Sequence, residues 1–199
     1  MRSANILTIC FGLPTLHIFF NIQSFRYTQD TIDAELKKSK EDFILHFRSV
    51  YTDDYPPAWM IAEILPLGLL CRIYTNLKDN VIKKRVAQHF GLQVPVFSSW
   101  IVILAGLRNM CCHHCRTWNR ELATITTEPR RTKYGWIDSS RTDKRRMYYR
   151  ICMIRYFLYT VSPNNNFKDK LKTLLAAYPN IDTAAMGFPS DWESEDIWK

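Results

Sequence analysis

Residues 96–120 read VFSSWIVILAGLRNMCCHHCRTWNR, the longest apolar-to-polar run in the chain, and their reading decides the fold. The spacing predicts one long helix. An α-helix advances about 100° per residue, so its side chains can be sorted onto faces. Trp100, Leu104, Leu107, Cys111, His114 and Trp118 alternate steps of four and three and make one packing stripe. Nearly opposite, Asn109, His113, Arg116 and Arg120 step by four, three and four, and Arg108 flanks them by about a quarter turn. The two adjacent histidines are thereby separated. His114 is expected in the core with one hydrogen-bonded nitrogen, whereas His113 faces arginines and an asparagine, the composition of an anion site.

Working outward, 199 residues suffice for one domain. Only six glycines and long stretches without turn residues favour helices over a sandwich of short strands. The expectation is an all-α chain. Residues 30–50 repeat Ile32, Leu36, Ser39, Phe43 and Phe47 at helical steps, with charges on the other face. After a turn at 53–57, Pro57 suits the first position of a helix and residues 58–77 are apolar nearly all round. Pro66 and Gly68 predict a break there. Asn80 can cap a basic helix over 81–90 that stops at Gly91. Residues 121–142 lack periodicity and read as a long basic loop, a length that usually signals function or mobility. From Asp143, a stripe of Met147, Ile151, Ile154, Leu158 and Val161 marks another helix, and 166–178 the last. Phe188, Trp192 and Trp198 suggest that the tail, 180–199, straps onto the domain. Residues 6–22 are mostly apolar but are short for a membrane span, which needs about 20 apolar residues. A buried N-terminal segment is expected there, and no membrane association.

The formal net charge of +8 attracts phosphate or anionic lipid. It is concentrated in Arg130, Arg131, Lys133, Arg141, Lys144, Arg145, Arg146, Arg150 and Arg155, while the tail is acidic. A solvated helix face is the plain account of such a run; an RNA grip is the functional one. Tyr134, Trp136, Tyr148 and Tyr149 are interleaved and could stack on bases. The six cysteines do not form a disulfide framework, because three fall within five residues, and they suit a reducing cytoplasm.

Imidazoles exchange protons near neutrality, and arginine offers a planar fork of donors to phosphate. RNA supplies its own nucleophile, the 2′-hydroxyl. A histidine to take its proton and an arginine to steady the phosphorane could then suffice without metal or cofactor. One histidine does not easily serve as both base and acid, and a two-fold dimer would bring two into one cleft. An exposed helix face with ordinary charges explains the same residues. A rival reading uses Cys111, His114 and Cys115, close together on a helix, with Cys71 or Cys152 as a fourth zinc ligand. The usual Cys-x-x-Cys spacing is absent, and these groups fall on the packing side.

Leu107-Arg108-Asn109-Met110-Cys111-Cys112-His113-His114, followed by Arg116, Trp118, Asn119 and Arg120, resembles the signature of the Abi-like (AbiD/AbiF type) bacterial abortive-infection proteins. Pro56-Pro57-Ala58-Trp59-Met60, Ile73-Tyr74-Thr75-Asn76-Leu77 and Ala87-Gln88-His89-Phe90-Gly91-Leu92 match its upstream blocks in order, and Met186-Gly187-Phe188-Pro189 with Trp192 and Trp198 its C-terminal block. The resemblance covers residues 30–199. Residues 1–27 do not resemble the family, which leaves them unassigned, makes 28–199 the Abi-like domain, and suggests N-terminal truncation. The resemblance implies a HEPN-like helical bundle with a long basic loop and a C-terminal helix plus tail. It further implies a metal-independent endoribonuclease that acts as a homodimer in antiviral defence. Its motif residues would be Arg108, Asn109 and His113, with His114 also at a permitted spacing. The RNA-binding candidates are Arg116, Arg120, Arg130, Arg131, Lys133, Arg141, Arg145, Arg146 and Arg150. The partner would be cellular RNA, phage RNA or a cognate small non-coding RNA. The alternative is a non-catalytic RNA-binding or interaction module.

Overall fold

Asn21 starts the first helix among the described residues, its side chain accepting hydrogen bonds from the amides of Gln23 at 2.9 Å and Ser24 at 3.1 Å. The computed structural model describes residues 21–199, so almost all of the apolar segment expected to be buried at 6–22 lies outside the described residues. The chain divides into two compact units, one ending at Lys83 and the other running from Lys84 to Lys199.

The first unit holds α1 (Ile22–Lys38), α2 (Asp42–Val50), α3 (Ala58–Ile64) and α4 (Leu67–Asn76). The single helix expected over 30–50 is two helices. Ser39 is extended, with φ −64° and ψ 130°, and Arg48 of α2 donates to the carbonyl of Leu36 at the end of α1. The bend lets Ile44 bury in one cluster with Ile32 and Leu36, which one straight rod would not allow. Pro66 interrupts α3 and α4 as its missing N–H requires. Ile61, Leu65, Leu69, Ile73 and Leu77 complete this core with Phe25. α5 (Asn80–His89) follows, and Asp79 rather than Asn80 caps it, accepting from Val81 at 2.7 Å and Ile82 at 3.2 Å. It stops at Gly91, whose φ of +67° is left-handed.

The second unit is built on α6 (Val94–Cys112), α7 (Met147–Val161) and α8 (Phe167–Ala177), with 3-10 helices at Trp192–Ser194 and Asp196–Trp198. Among the described residues there are eight α-helices and no strand, so the all-α expectation holds. α7 is the hub. The stripe expected on it understates its burial, because Tyr148, Tyr149, Arg150, Cys152, Met153, Arg155 and Tyr156 are also buried, while Val161 is exposed. α6, the interhelical loop and the tail each cover part of its circumference. Trp100 of α6 lies 4.6 Å from Trp136 of the loop and 5.5 Å from Tyr156 of α7, measured between ring centroids. On another side the tail inserts Trp198, fully buried, among Tyr148, Phe167 and Trp192. Tyr148 donates its hydroxyl to Glu195 at 2.7 Å and accepts from the Trp198 indole at 3.0 Å. Burial raises the Glu195 carboxyl above its ordinary range. The tail strap expected from its aromatics is thus an integral part of this core.

α6 is the only helix among the described residues long and apolar enough to cross a membrane, a property of its length and composition that core helices of soluble proteins share.

Candidate active site

α6 ends eight residues before the helix predicted from the sequence. His113 is its C-cap, and His114 takes a left-handed conformation with φ 54°. The Cys115 amide reaches back to the Met110 carbonyl at 2.9 Å and the His114 amide to Cys111 at 3.1 Å. These two bonds are the Schellman arrangement that satisfies the last helical carbonyls. A glycine or asparagine usually occupies the position that His114 holds, so the stop carries little sequence signal.

This geometry divides the predicted stripes. The buried stripe of α6 is Val96, Trp100, Ile103 and Leu107, and it ends there. Cys111, His114 and Trp118 are exposed, so the expectation of a core histidine at His114 is overturned. The shared helical face of Cys111, His114 and Cys115 also disappears with the helix, and all three of these cysteine and histidine side chains lie at the surface. No group of three or more potential metal ligands occurs among the described residues.

Arg108 and Asn109 occupy the last helical turn, both exposed, and the Arg108 guanidinium donates to Asn109 Oδ1 at 3.3 Å. The His113 amide still bonds to the Asn109 carbonyl at 3.0 Å, so one helical step keeps these two residues on the same side. The His113 ring makes no hydrogen bond or ion pair among the described residues, and its carbonyl faces the Cys115 thiol at 3.8 Å. Arg116 and Arg120 do not continue the stripe, because the chain turns away at His114. Arg120 returns by another route. The loop runs back along α6, tied by the Trp100 indole to the Thr127 carbonyl at 3.0 Å and by the Thr127 amide to Ser99 at 3.1 Å. Arg120 thereby lines a groove of about 320 Å³ with Val102, Gly106 and Met110 of α6.

The basic loop differs most from expectation. Arg145 pairs with Glu121 at 2.6 Å, Lys144 with Glu128 at 2.5 Å, Arg146 with Asp143 at 3.7 Å, and Arg141 with Asp191. These partners hold the Glu128 and Asp191 carboxyls below their ordinary range. Arg150 is fully buried, donating to the carbonyls of Lys144 at 2.6 Å and Thr124 at 2.5 Å. It borders the groove described above but presents no exposed surface to RNA in this fold, and burial disfavours its charge. Tyr148 and Tyr149 are likewise fully buried and cannot stack on bases. Arg116, Arg130, Arg131 and Lys133 are exposed without an ion pair among the described residues. Glu121, Glu128 and Asp191 come from separate parts of the chain, which residue spacing alone does not bring together, whereas Asp143 is local to Arg146.

The fold and this surface define an all-α protein with an Arg-Asn pair and a histidine displayed at one helix end. The chain belongs to the Abi-like family: a family model described as Abi-like protein matches residues 16–119. The match takes in Arg108, Asn109 and His113. It begins at residue 16, inside the stretch 1–27 that the sequence left unassigned. The block from Met186 to Trp198 lies outside the matched range. No curated protein and no solved structure matches the chain. Membership points to abortive-infection phage defence.

Proposed function

We propose that the protein is a metal-independent endoribonuclease of the HEPN type, acting in abortive infection on cellular, phage or small non-coding RNA. The observation that carries this reading is the end of α6. Arg108, Asn109 and His113 are gathered within two helical turns, exposed and free of structural duties, beside an open groove. Polar side chains that hold a fold together are usually buried and bonded to other elements, as Arg150 is here.

The chemistry follows from the side chains. His113 takes the proton of a 2′-hydroxyl, whose oxygen attacks the adjacent phosphorus. Arg108, steadied by Asn109, donates to the phosphorane oxygens as charge develops on them. The 5′-oxygen leaves with a proton supplied by the other His113 of a two-fold homodimer, and the product is a 2′,3′-cyclic phosphate. No metal or cofactor enters this scheme. His114, exposed one residue further on, serves the helix cap. The outer face of α6 supports self-association: Val102 is 48 % exposed, and a Cβ at Gly106 would meet nothing within 4 Å. RNA would be drawn in by Arg116, Arg120, Arg130, Arg131 and Lys133, and the site of action would be the cytoplasm, away from membranes.

The test is RNA cleavage in EDTA by the sized oligomer, with the ends analysed for cyclic phosphate. Arg108→Ala and His113→Ala should each lose at least about a hundredfold in rate, the scale for removal of a general base or a charge-stabilising donor. Full activity in both variants would refute the mechanism. Salt-sensitive RNA binding without cleavage by the folded dimer would instead identify a non-catalytic RNA-binding module.

A further inference from the structure

A second concavity of this unit lies at the other end of α6. It encloses about 680 Å³ between the α5–α6 turn and the loop at 131–133. Val94, which lines it, stands fifteen residues before Asn109, about 22 Å along the helix axis at 1.5 Å per residue. This is a separate place from the Arg108–His113 cluster.

Its walls are built and pinned together. Tyr156, rising from α7, accepts from the Lys133 amide at 3.1 Å and donates to the Gly91 carbonyl at 3.4 Å. Gln93 donates to the Arg131 carbonyl at 3.1 Å. The contact at Gly91 is so close that a Cβ there would lie 2.1 Å from the Cβ of Lys133. Glycine is what lets the basic loop descend onto the turn.

The lining has two chemistries. Lys84, Arg131 and Lys133 supply three cations, and among the described residues no acidic one lines the cavity. This sets them apart from Arg141, Lys144, Arg145 and Arg146, each of which has a carboxylate partner. Lys133 lies 5.0 Å over the Tyr134 ring, a cation–π contact rather than an ion pair with a carboxylate. Leu92, Val94 and Pro95 form an apolar wall, and the Gln88 amide stands beside it. Cations alone would suit any anion. Joined to an apolar wall and one amide, in a space large enough for a base, a sugar and a phosphate, they suit a nucleoside phosphate.

We infer that this cavity is a nucleotide-binding site, with Arg131, Lys133 and Lys84 on the phosphates and the base lying against Leu92, Val94 and Pro95. Its ligand is either a free ribonucleotide or the phosphorylated end of an RNA strand. The inference uses none of Arg108, Asn109 or His113, although Arg131 and Lys133 also belong to the surface proposed above to draw in RNA.

Isothermal titration of the full chain tests it, with ADP, inorganic pyrophosphate and adenosine as probes. ADP should bind saturably at one site per chain, more tightly than either fragment, and the Arg131→Ala/Lys133→Ala variant should weaken it at least tenfold. Lys84→Glu provides a second, independent lesion, and far-UV circular dichroism confirms that each variant is folded. Arg108→Ala should leave ADP binding unchanged, so failure of the cleavage proposal and failure of this one are separable. A 5′-phosphorylated tetraribonucleotide, titrated into His113→Ala, identifies the source: tighter binding than ADP points to an RNA end, weaker binding to a free nucleotide. Absence of saturable ADP binding, equal affinity for ADP and pyrophosphate, or indifference to both lesions would overturn the inference.

Discussion

Replacing His114 with glycine distinguishes the observed helix end from the one expected from the sequence. His114 has φ 54° and closes the α6 cap through its own amide and that of Cys115. Left-handed backbone costs an L-residue about 1–2 kcal/mol. Glycine removes that strain but loses about 0.5–1 kcal/mol more conformational entropy on folding. The imidazole is exposed, so little packing is forfeited. His114→Gly should therefore gain about 0.5–1 kcal/mol, which in a domain of this size raises Tm by about 1–4 °C. Thermal melts followed by far-UV circular dichroism would measure it, at one fixed protein concentration because self-association shifts the midpoint. Cleavage should be retained, since His113 remains. A histidine packed in a continuous helix would behave oppositely, losing both its burial and helix propensity. A fall of several degrees in Tm would refute the cap assignment.

Arg150→Met should lower stability by about 3 kcal/mol in urea denaturation, because two carbonyls lose a buried charged donor. At temperatures where the variant is folded, its RNA affinity should match wild type; a selective loss of RNA binding would contradict the buried assignment. Glu195 gives a pH signature. Burial raises its folded carboxyl above the unfolded value, so folding favours the protonated form. Its contribution to stability therefore falls as pH rises from the ordinary carboxylate value through the raised folded one, and is constant above that. Glu195→Gln keeps an acceptor for Tyr148 without a charge to bury. It should equal or exceed wild type by up to about 1 kcal/mol at pH 7, with the gap closing toward pH 4. Glu195→Ala should lose about 1–3 kcal/mol by leaving the Tyr148 hydroxyl without its acceptor. A gap that widens on acidification would reverse the sign of the argument.

The motif and the helix that carries it were legible in the sequence, but the helix end was not. Apolar periodicity placed α6 and α7, and Pro66 and Gly91 punctuated the chain where they should, because a missing N–H and a free φ are properties of single residues. The stop at His113 depends on a left-handed histidine, which no residue type announces. The break at Ser39 follows from how Ile44 must turn to meet Ile32 and Leu36, and spacing along one helix cannot express that.

Charge shows the same division more sharply. The sequence by itself determined that the protein is helical, basic and carries an Arg-Asn pair five and four residues before a histidine, since these are matters of composition and local order. Tertiary structure alone decided which charges are available. Asp191, Glu121 and Glu128 come from distant positions to neutralise Arg141, Arg145 and Lys144, and Arg150 is drawn inside by two carbonyls. Ion pairs form through space, where a separation of 50 residues between Arg141 and Asp191 counts for nothing. The same folding leaves Arg108 and His113 exposed at one end of α6, and Arg131 and Lys133 at the other, without an ion pair among the described residues.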